Sequence, residues 1–236
     1  MKLLMTGALM ALMTLFSISS MAASSGTPVD SFDVDLYDKA SLQRGAQIFT
    51  NYCLSCHSAS YMRYNRMAKD LGMSEDLVLN NLMFTTDKIG DPMTVAMRPE
   101  DAKKWFGVVP PDLSVIARAR GTDWLYSYLR HFYLDDSRPM GTNNLFLVNA
   151  GMPHVLWEQQ GFLAENEDHQ LAIAQTGQLT ERQYDQYVGD LVNFLAYIGE
   201  PSKLQRLALG KWVLLYLAFF FIIAVALKKA YWKDVH

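Results

Sequence analysis

The sequence predicts a mainly α-helical exported domain held to a membrane by one C-terminal helix. Three observations predict this fold class. Apolar residues recur at helical spacing in two separated stretches, 42–52 and 184–198. A nearly unbroken apolar stretch covers residues 207–227, close to the end of the chain. A motif of two cysteines and a histidine, residues 53–57, closes the first helical stretch and indicates where the chemistry lies.

Composition excludes several classes of protein. The chain has 236 residues, of which 50% are hydrophobic and 12% aromatic. Such a chain can fill a core, which argues against disorder and low complexity. The formal net charge is -3, and no basic stripe is interleaved with aromatic residues, so nucleic acid is not an expected partner. Two cysteines are too few for a disulfide framework.

The N-terminus has the pattern of a secretory signal peptide. Lys2 precedes an apolar run over residues 3–18, and small residues follow up to Ala23. We expect a signal peptide over residues 1–23, with cleavage after Ala22 or Ala23. The alternative is a retained membrane helix, but the run is short for a span and lacks positive flanks. The mature protein is expected to be exported.

The second apolar stretch predicts a transmembrane anchor over residues 203–229. Its centre, 213–227, has no charged residue, whereas a helix on a soluble domain normally has a polar face. Lys228, Lys229 and Lys233 follow the span, so the positive-inside rule places the tail, 230–236, in the cytoplasm. Residues 24–202 then form a periplasmic domain on a single-pass protein of the inner membrane.

The chemistry is concentrated in the string Cys53-Leu54-Ser55-Cys56-His57. C-x-x-C-H is the signature of covalent c-type haem attachment. On one helical turn, two thiols can reach the two vinyl groups of one porphyrin, and the next histidine is directed at the iron. A redox dithiol would need a βαβ pattern around it, and a zinc site would need a second cysteine pair.

Two helices are expected to pack around this motif. The first begins near Ser41, a candidate N-cap, and carries Gly45, which would let another helix approach closely. The second begins at Thr180, which forms a candidate capping box with Gln183, and ends before Pro201. Both helices carry an apolar stripe, which is equally consistent with an ordinary hydrophobic core. The stripe of the first helix is Leu42, Ile48, Phe49 and Tyr52, and that of the second is Tyr184, Tyr187, Val188, Leu191, Phe194, Leu195 and Ile198.

An electron carrier with six-coordinate iron needs a second axial ligand. Met152 lies between Gly151 and Pro153, in a loop-like context that could hold a thioether toward the iron. A thioether is a soft donor that stabilises ferrous iron and raises the reduction potential. Met140 and His154 are rival candidates, and composition alone leaves His131 and His169 open as well.

Together these strings resemble the cytochrome c1 family, the haem subunits of cytochrome bc1 complexes. The resemblance spans nearly the whole mature chain. The haem motif is common to all c-type cytochromes, whereas the Pro-Pro-Asp-Leu-Ser and Arg-Ala-Arg strings with a C-terminal anchor are specific to this family. The matching strings are Arg44-Gly45 with 53–58, Tyr61, Tyr64, 97–99, 110–120, 151–153, and Tyr231-Trp232 after the span.

The resemblance implies a class I cytochrome c fold and a role for each matching residue. Met152 would be the sixth ligand opposite His57. Pro110 and Pro111 would line the haem edge, and Arg120 would hold a haem propionate. Weaker candidates for packing against the haem are Ile116, Trp124 and Leu129. The segment 70–107 is shorter than in many members of the family, so partner contacts are not carried over from that loop.

The expected function is electron transfer within ubiquinol-cytochrome c reductase. By resemblance, the one haem c receives electrons from the Rieske iron-sulfur protein and passes them to a c-type cytochrome. Cytochrome b would lie beside the anchor in a dimeric complex, and this chain would need no general acid or base. The alternatives are a mono-haem subunit of a terminal oxidase or nitric oxide reductase, an open-site haem enzyme or gas sensor, and a haem-free assembly protein.

Overall fold

A computed structural model describes residues 28–166 and 170–234. The predicted signal peptide, residues 1–23, lies outside the described residues. His169, one of the ligand candidates, and the last two residues of the predicted tail also lie outside them.

Helices form most of the regular structure, as the sequence predicts. The α-helices are α1 (Lys39–Ile48), α2 (Tyr64–Leu71), α3 (Glu75–Asn81), α4 (Pro99–Phe106), α5 (Ile116–Arg120), α6 (Thr122–Arg130), α7 (Trp157–Gln160), α8 (Glu181–Gly199) and α9 (Lys203–Tyr231), and a short π-helix (Phe49–Cys53) follows α1. The strands are β1 (Ala59–Arg63), β2 (Pro92–Met93), β3 (Phe132–Leu134), β4 (Thr142–Asn144), β5 (Gly161–Glu165) and β6 (Leu171–Thr176).

The helices α1 and α8 cross with their backbones in close contact, and Gly45 makes this approach possible. A Cβ atom at Gly45 would lie 2.1 Å from the backbone oxygen of Asp190 and 2.6 Å from the Cβ of Phe194. One turn later, the ring of Phe49 packs against Phe194 with centroids 5.5 Å apart. The close approach predicted for Gly45 is confirmed.

A polar cluster around the buried Asp190 carboxylate stabilises the same crossing. The Ser41 hydroxyl donates to the Asp190 carboxylate at 2.6 Å, and the Arg44 guanidinium donates to both oxygens of that carboxylate at 2.6 and 2.8 Å. The side-chain amide of Asn193 donates to the Ser41 hydroxyl at 2.9 Å. Because Asp190 is 6% exposed, removing one partner would leave buried polar atoms unsatisfied.

The start of α1 differs from the predicted one. Asp38, and not Ser41, is the N-cap, and its carboxylate accepts a hydrogen bond from the Ser41 backbone N–H at 3.0 Å. Ser41 lies inside the helix, where its hydroxyl hydrogen bonds to Asp190 of α8. At α8 the prediction is confirmed: Thr180 and Gln183 form a capping box, with the Gln183 side chain accepting from the Thr180 N–H at 3.0 Å.

The segment between α6 and α8 forms a four-stranded sheet that the helical pattern does not predict. Its strand order is β4-β3-β5-β6, with β3 antiparallel to β4 and parallel to β5. The strands β3 and β4 have three residues each, which is too short for a period-two pattern to emerge from the sequence. The sheet matters for the site because the loop from β4 to β5 carries Met152 and α7.

The C-terminal helix α9 is long and apolar enough to cross a membrane. It has 29 residues, which corresponds to about 44 Å at the rise of an α-helix. Its most apolar window has a mean hydropathy of 2.2 and contributes nothing to the buried interior of the chain. The predicted fold class, a mainly α-helical domain with one C-terminal apolar helix, is confirmed. The boundaries at residues 23, 202 and 229 stay predictions.

Replacement of Gly45 tests the helix crossing. We expect Gly45→Ala to lower the free energy of unfolding by about 2 to 3 kcal/mol, because the new methyl group overlaps a backbone oxygen that cannot move without separating the helices. Chemical denaturation of the detergent-solubilised protein measures the change. Gly90→Ala is the control, since a Cβ there has nothing within 4 Å. Equal stabilities for the two variants would contradict the account of the crossing.

Candidate haem-binding site

The C-x-x-C-H segment forms one tight turn at the end of the first helical stretch. The π-helix Phe49–Cys53 ends there, and the backbone N–H groups of Cys56 and His57 both donate to the Cys53 carbonyl, at 3.0 and 2.8 Å. This turn places both sulfurs and the imidazole on the wall of the same cleft. Burial raises the pKa of the Cys53 thiol to about 12, so an unmodified Cys53 keeps its proton at neutral pH.

His57 is held in one orientation by the backbone of the Pro-Pro string. Its Nδ1 atom lies 2.7 Å from the Pro111 carbonyl oxygen. Because a carbonyl only accepts, Nδ1 carries the proton and the lone pair is on Nε2. Burial lowers the pKa of His57 more than the Pro111 hydrogen bond and the Asp112 charge raise it, so the neutral ring is favoured. A neutral imidazole with a free Nε2 is the form that ligates a metal.

The segment 110–114 is in turn fastened to the residues that follow His57. The Leu113 N–H donates to the Ser58 carbonyl at 2.7 Å, and the Tyr61 N–H donates to the Ser114 hydroxyl at 3.0 Å. The Asp112 carboxylate accepts from the N–H groups of Ser60 and Ser114, at 3.0 and 2.7 Å. These contacts form a clamp between residues 57–61 and 110–114, and the clamp fixes the distance between His57 and Pro111.

Helices α5 and α6 supply the next wall of the cleft. The Arg120 guanidinium lies over the Trp124 ring, 5.0 Å from its centroid, and that ring stacks on Tyr128 at 4.9 Å. Arg118, two residues earlier, points to Glu200 with a closest approach of 3.8 Å. Within the described parts of the chain, Arg120 has no carboxylate partner, and it lines the cleft. A guanidinium at the cleft rim without a partner carboxylate suits an incoming anionic group.

Met152 enters the cleft from the loop between β4 and β5. A Cβ atom at Gly151 would lie 2.8 Å from the Val108 side chain, so the small residue lets this loop approach the segment after α4. The Tyr128 hydroxyl donates to the Met152 sulfur at 3.4 Å. Burial raises the pKa of Tyr128 to about 12, so the hydroxyl keeps its proton well above neutral pH.

The structure brings all nine predicted site residues to one cleft of about 1210 Å³, a volume that includes its opening to solvent. The lining is mostly apolar, as in most cofactor sites. The nine are Cys53, Cys56, His57, Pro110, Pro111, Ile116, Arg120, Trp124 and Met152, and the weaker candidate Leu129 lines the cleft too. The structure places them together; their roles toward a cofactor stay predictions.

The rival ligands lie elsewhere. The His154 ring stacks on Phe132 at 5.2 Å, and its Nε2 lies 3.2 Å from the Gly161 carbonyl. Burial lowers the pKa of His154 to about 4, so it is a neutral core residue. His131 hydrogen bonds through Nδ1 to the Ser127 carbonyl at 2.8 Å. Neither histidine lines the cleft, nor does Met140, which lies between β3 and β4.

Several cleft residues are missing from the sequence prediction. Leu191 and Leu195 were expected in the stripe of α8, and their spacing could have marked them as a cleft wall. Tyr128 lies one turn after Trp124 on α6, so helical spacing could also have indicated it. Loop residues carry no such signal, because their approach depends on the tertiary fold. The other residues that line the cleft but are not among the predicted site residues are Tyr52, Phe106, Val108, Leu113, Leu125, Leu147, Gly151, Pro153 and Val155.

The donor set of this cleft fits a covalently attached haem. Two thiols on one turn, a neutral imidazole with its Nε2 lone pair available, a thioether and an arginine all line one apolar volume. Imidazole and thioether are the pair of axial ligands found in cytochromes c. A zinc site would need further thiolates or imidazoles, and the cleft lining supplies none.

Comparison with known proteins assigns the family. A family model described as "Cytochrome C1 family" matches residues 31–235. The chain belongs to the cytochrome c1 family. It is 49% identical over 227 residues to the cytochrome c1 of Allochromatium vinosum, with 92% of this chain and 93% of that protein covered. The cytochrome c1 of Rhodospirillum rubrum is 29% identical over 240 residues, with coverage of 84% and 83%.

One similar protein has a different name. The "Ammonia monooxygenase gamma subunit" of Nitrosomonas europaea is 50% identical over 218 residues, with 91% of this chain and 93% of that protein covered. This match covers nearly the same share of the chain as the match to the cytochrome c1 of Allochromatium vinosum.

Family membership supports haem c as the cofactor and confirms the general function, whereas attachment through Cys53 and Cys56 stays a prediction. A cytochrome c1 carries haem c and transfers electrons, and its apolar C-terminal helix fits a membrane anchor. The homologues support the haem subunit of a cytochrome bc1 complex. A subunit of a terminal oxidase or nitric oxide reductase, and an open-site haem enzyme, are not favoured.

The clamp at Asp112 predicts a dependence of stability on pH. Partial burial raises the pKa of this carboxyl, but hydrogen bonds from Ser114 and Ser60 outweigh burial and leave the pKa below its ordinary value. A lowered pKa in the folded state stabilises the protein above about pH 4, and this stabilisation disappears as pH falls through the folded-state pKa.

We therefore expect Asp112→Asn to be less stable than the parent protein by about 1 kcal/mol or less at pH 7. The difference should begin to shrink below about pH 4, where the unfolded chain takes up the proton, and should vanish only once pH has fallen below the folded-state pKa. Denaturant titrations at a series of pH values measure it, with Asp136→Asn on the turn between β3 and β4 as the control. A difference independent of pH would exclude the carboxylate as the source of the effect.

Proposed function

We propose that the cleft binds one haem c, attached through Cys53 and Cys56 and ligated by His57 and Met152. The observation that carries this proposal is the fixed His57 ring, whose Nδ1 is engaged by Pro111 while Met152 lines the same cleft. The chain would receive electrons from a Rieske iron-sulfur protein and pass them to a c-type cytochrome. Cytochrome b would contact α9 in a dimeric complex.

Each side chain has a distinct task in this proposal. When bound, the haem supplies reversible one-electron transfer between ferric and ferrous iron. The two thiols fix its position in the cleft, so it cannot dissociate. His57 keeps a single tautomer because Pro111 holds its other nitrogen. Met152 offers a soft thioether, which favours the reduced state and suits a carrier at the high-potential end of a chain.

The walls of the cleft keep water from the cofactor. Pro110 and Pro111 have no backbone N–H, so they form an apolar wall without unsatisfied donors. Leu191 and Leu195 of α8 add aliphatic side chains that are nearly fully buried. Exclusion of water lowers the local dielectric constant and, with the axial ligands, sets the reduction potential. Arg120 would pair with a propionate at the rim.

Membrane placement completes the proposal. The helix α9 would cross the inner membrane once, with Lys228 and Lys229 on the cytoplasmic side. The haem domain would then face the periplasm, where covalent haem attachment and a c-type cytochrome acceptor are compatible with export.

A second candidate assembly follows from the Nitrosomonas europaea relative. Because that protein is 50% identical over nearly the whole chain, its name suggests an association with a monooxygenase. Electron transfer through a haem would be the contribution of this chain in either assembly. The two candidates differ in the proteins that should co-purify with it.

The experiment is purification of the tagged chain from the membranes of its own host. Haem should stay with the chain on a denaturing gel, and cytochrome b and a Rieske protein should co-purify. Cys53→Ser should weaken or abolish the covalent haem stain, whereas Ser55→Ala, between the two cysteines and exposed, should keep it. Monooxygenase subunits in place of cytochrome b would favour the second assembly, and a haem-free chain would refute both.

A further inference from the structure

The Tyr128 hydroxyl is the one polar group of α6 that reaches the candidate sixth ligand, among the described contacts of Met152. The O–H of Tyr128 donates to the Met152 Sδ at 3.4 Å. A thioether sulfur has two lone pairs and is a weak acceptor, so one pair can accept this hydrogen bond while the other stays free for a metal. We propose that Tyr128 is a positioning residue that fixes Met152 through this bond and raises the reduction potential of the site.

The packing around Tyr128 holds its hydroxyl in place. The ring stacks on Trp124 with 4.9 Å between centroids and an interplanar angle of 9°. On its other side, the edge contact with Phe132 has a centroid distance of 5.1 Å. The Asn144 side chain donates to the Tyr128 carbonyl at 2.7 Å, which ties this turn of α6 to β4. These contacts restrict the orientation of the Tyr128 ring, so its hydroxyl is held toward the Met152 sulfur.

Met152 needs such a contact more than a residue on a helix would. Its side chain has three rotatable bonds and extends from a loop, so it can take many orientations. The neighbouring Gly151 and Pro153 shape the backbone but do not orient the sulfur. A donor from a fixed ring selects the orientations in which the sulfur faces the cleft.

The same bond changes the electronic character of the sulfur. A hydrogen bond draws electron density from the thioether and makes it a weaker donor to a metal. A weaker donor stabilises ferric iron less, and this loss of stabilisation is larger for ferric than for ferrous iron. The reduced state is therefore favoured relative to the oxidised state. Hydrogen bonding to an axial ligand is one of the means by which proteins tune haem potentials. This inference rests on the proposed ligation by Met152.

The test is the midpoint potential of Tyr128→Phe in the detergent-solubilised haem protein. Phenylalanine keeps the ring, its stacking and its volume, and removes only the hydroxyl. We expect the reduction equilibrium constant to fall by about three- to tenfold, where a tenfold fall corresponds to about 59 mV for one electron. The near-infrared band from methionine to ferric iron should persist with a shifted position. Tyr126→Phe is the control, since that ring stacks on Phe32 away from the cleft.

A second measurement separates an effect on sulfur from a general change of polarity. In a Met152→Lys background, the ligating amine has no lone pair left to accept a hydrogen bond. A coordinated amine can only donate to the Tyr128 oxygen, so Tyr128→Phe should not lower the potential of Met152→Lys, and the two substitutions should be non-additive. Equal shifts in both backgrounds, or an unchanged potential in Tyr128→Phe, would overturn the inference. A parent protein without low-spin haem would refute the proposed function instead.

Discussion

The crossing of α1 over α8 at Gly45 is the constraint on which the rest of the structure depends. The two helices approach until the backbone of one contacts the other, and the buried carboxylate of Asp190 locks the register through Ser41 and Arg44. The C-x-x-C-H turn begins only a few residues after this contact. Its position against the Leu191 face of α8 is therefore set by the crossing, and not by the loops that follow.

From this fixed turn the site is assembled outward by backbone contacts. The clamp between 57–61 and 110–114 carries the Pro-Pro string to His57, so one hydrogen bond orients the imidazole and one wall of the cleft at the same time. The opposite wall depends on the small sheet, because the loop from β4 to β5 delivers Met152 against α6. Residues far apart in sequence are thus held together by a small number of hydrogen bonds and packing contacts. Such a rigid site suits an electron carrier, because its atoms rearrange little when the oxidation state changes.

The sequence predicted those parts of the fold that depend on local patterns. The haem motif, the capping box at Thr180 and the close approach at Gly45 each have a local chemical cause, and the structure agrees with the last two. The N-cap at Asp38 was missed because Ser41 also has the chemistry of a cap, and only the contact with Asp190 shows its other use. The sheet of β3 to β6 was not predicted, because β3 and β4 have only three residues each and β3 also pairs with β5, which does not follow it directly in sequence. The hydrogen bond from Tyr128 to Met152 likewise exists only once α6 and the β4–β5 loop have met.

The central claim is that His57 and Met152 are the two axial ligands of one haem in this cleft. The most direct measurement is near-infrared magnetic circular dichroism of the oxidised protein in detergent, compared with Met152→Lys. We expect the parent to show low-spin iron with the band diagnostic of a methionine ligand. The variant should lose that band and show a much lower midpoint potential, because an amine donates more strongly than a thioether and stabilises ferric iron. A parent spectrum without the methionine band, or a variant identical to the parent, would contradict the account.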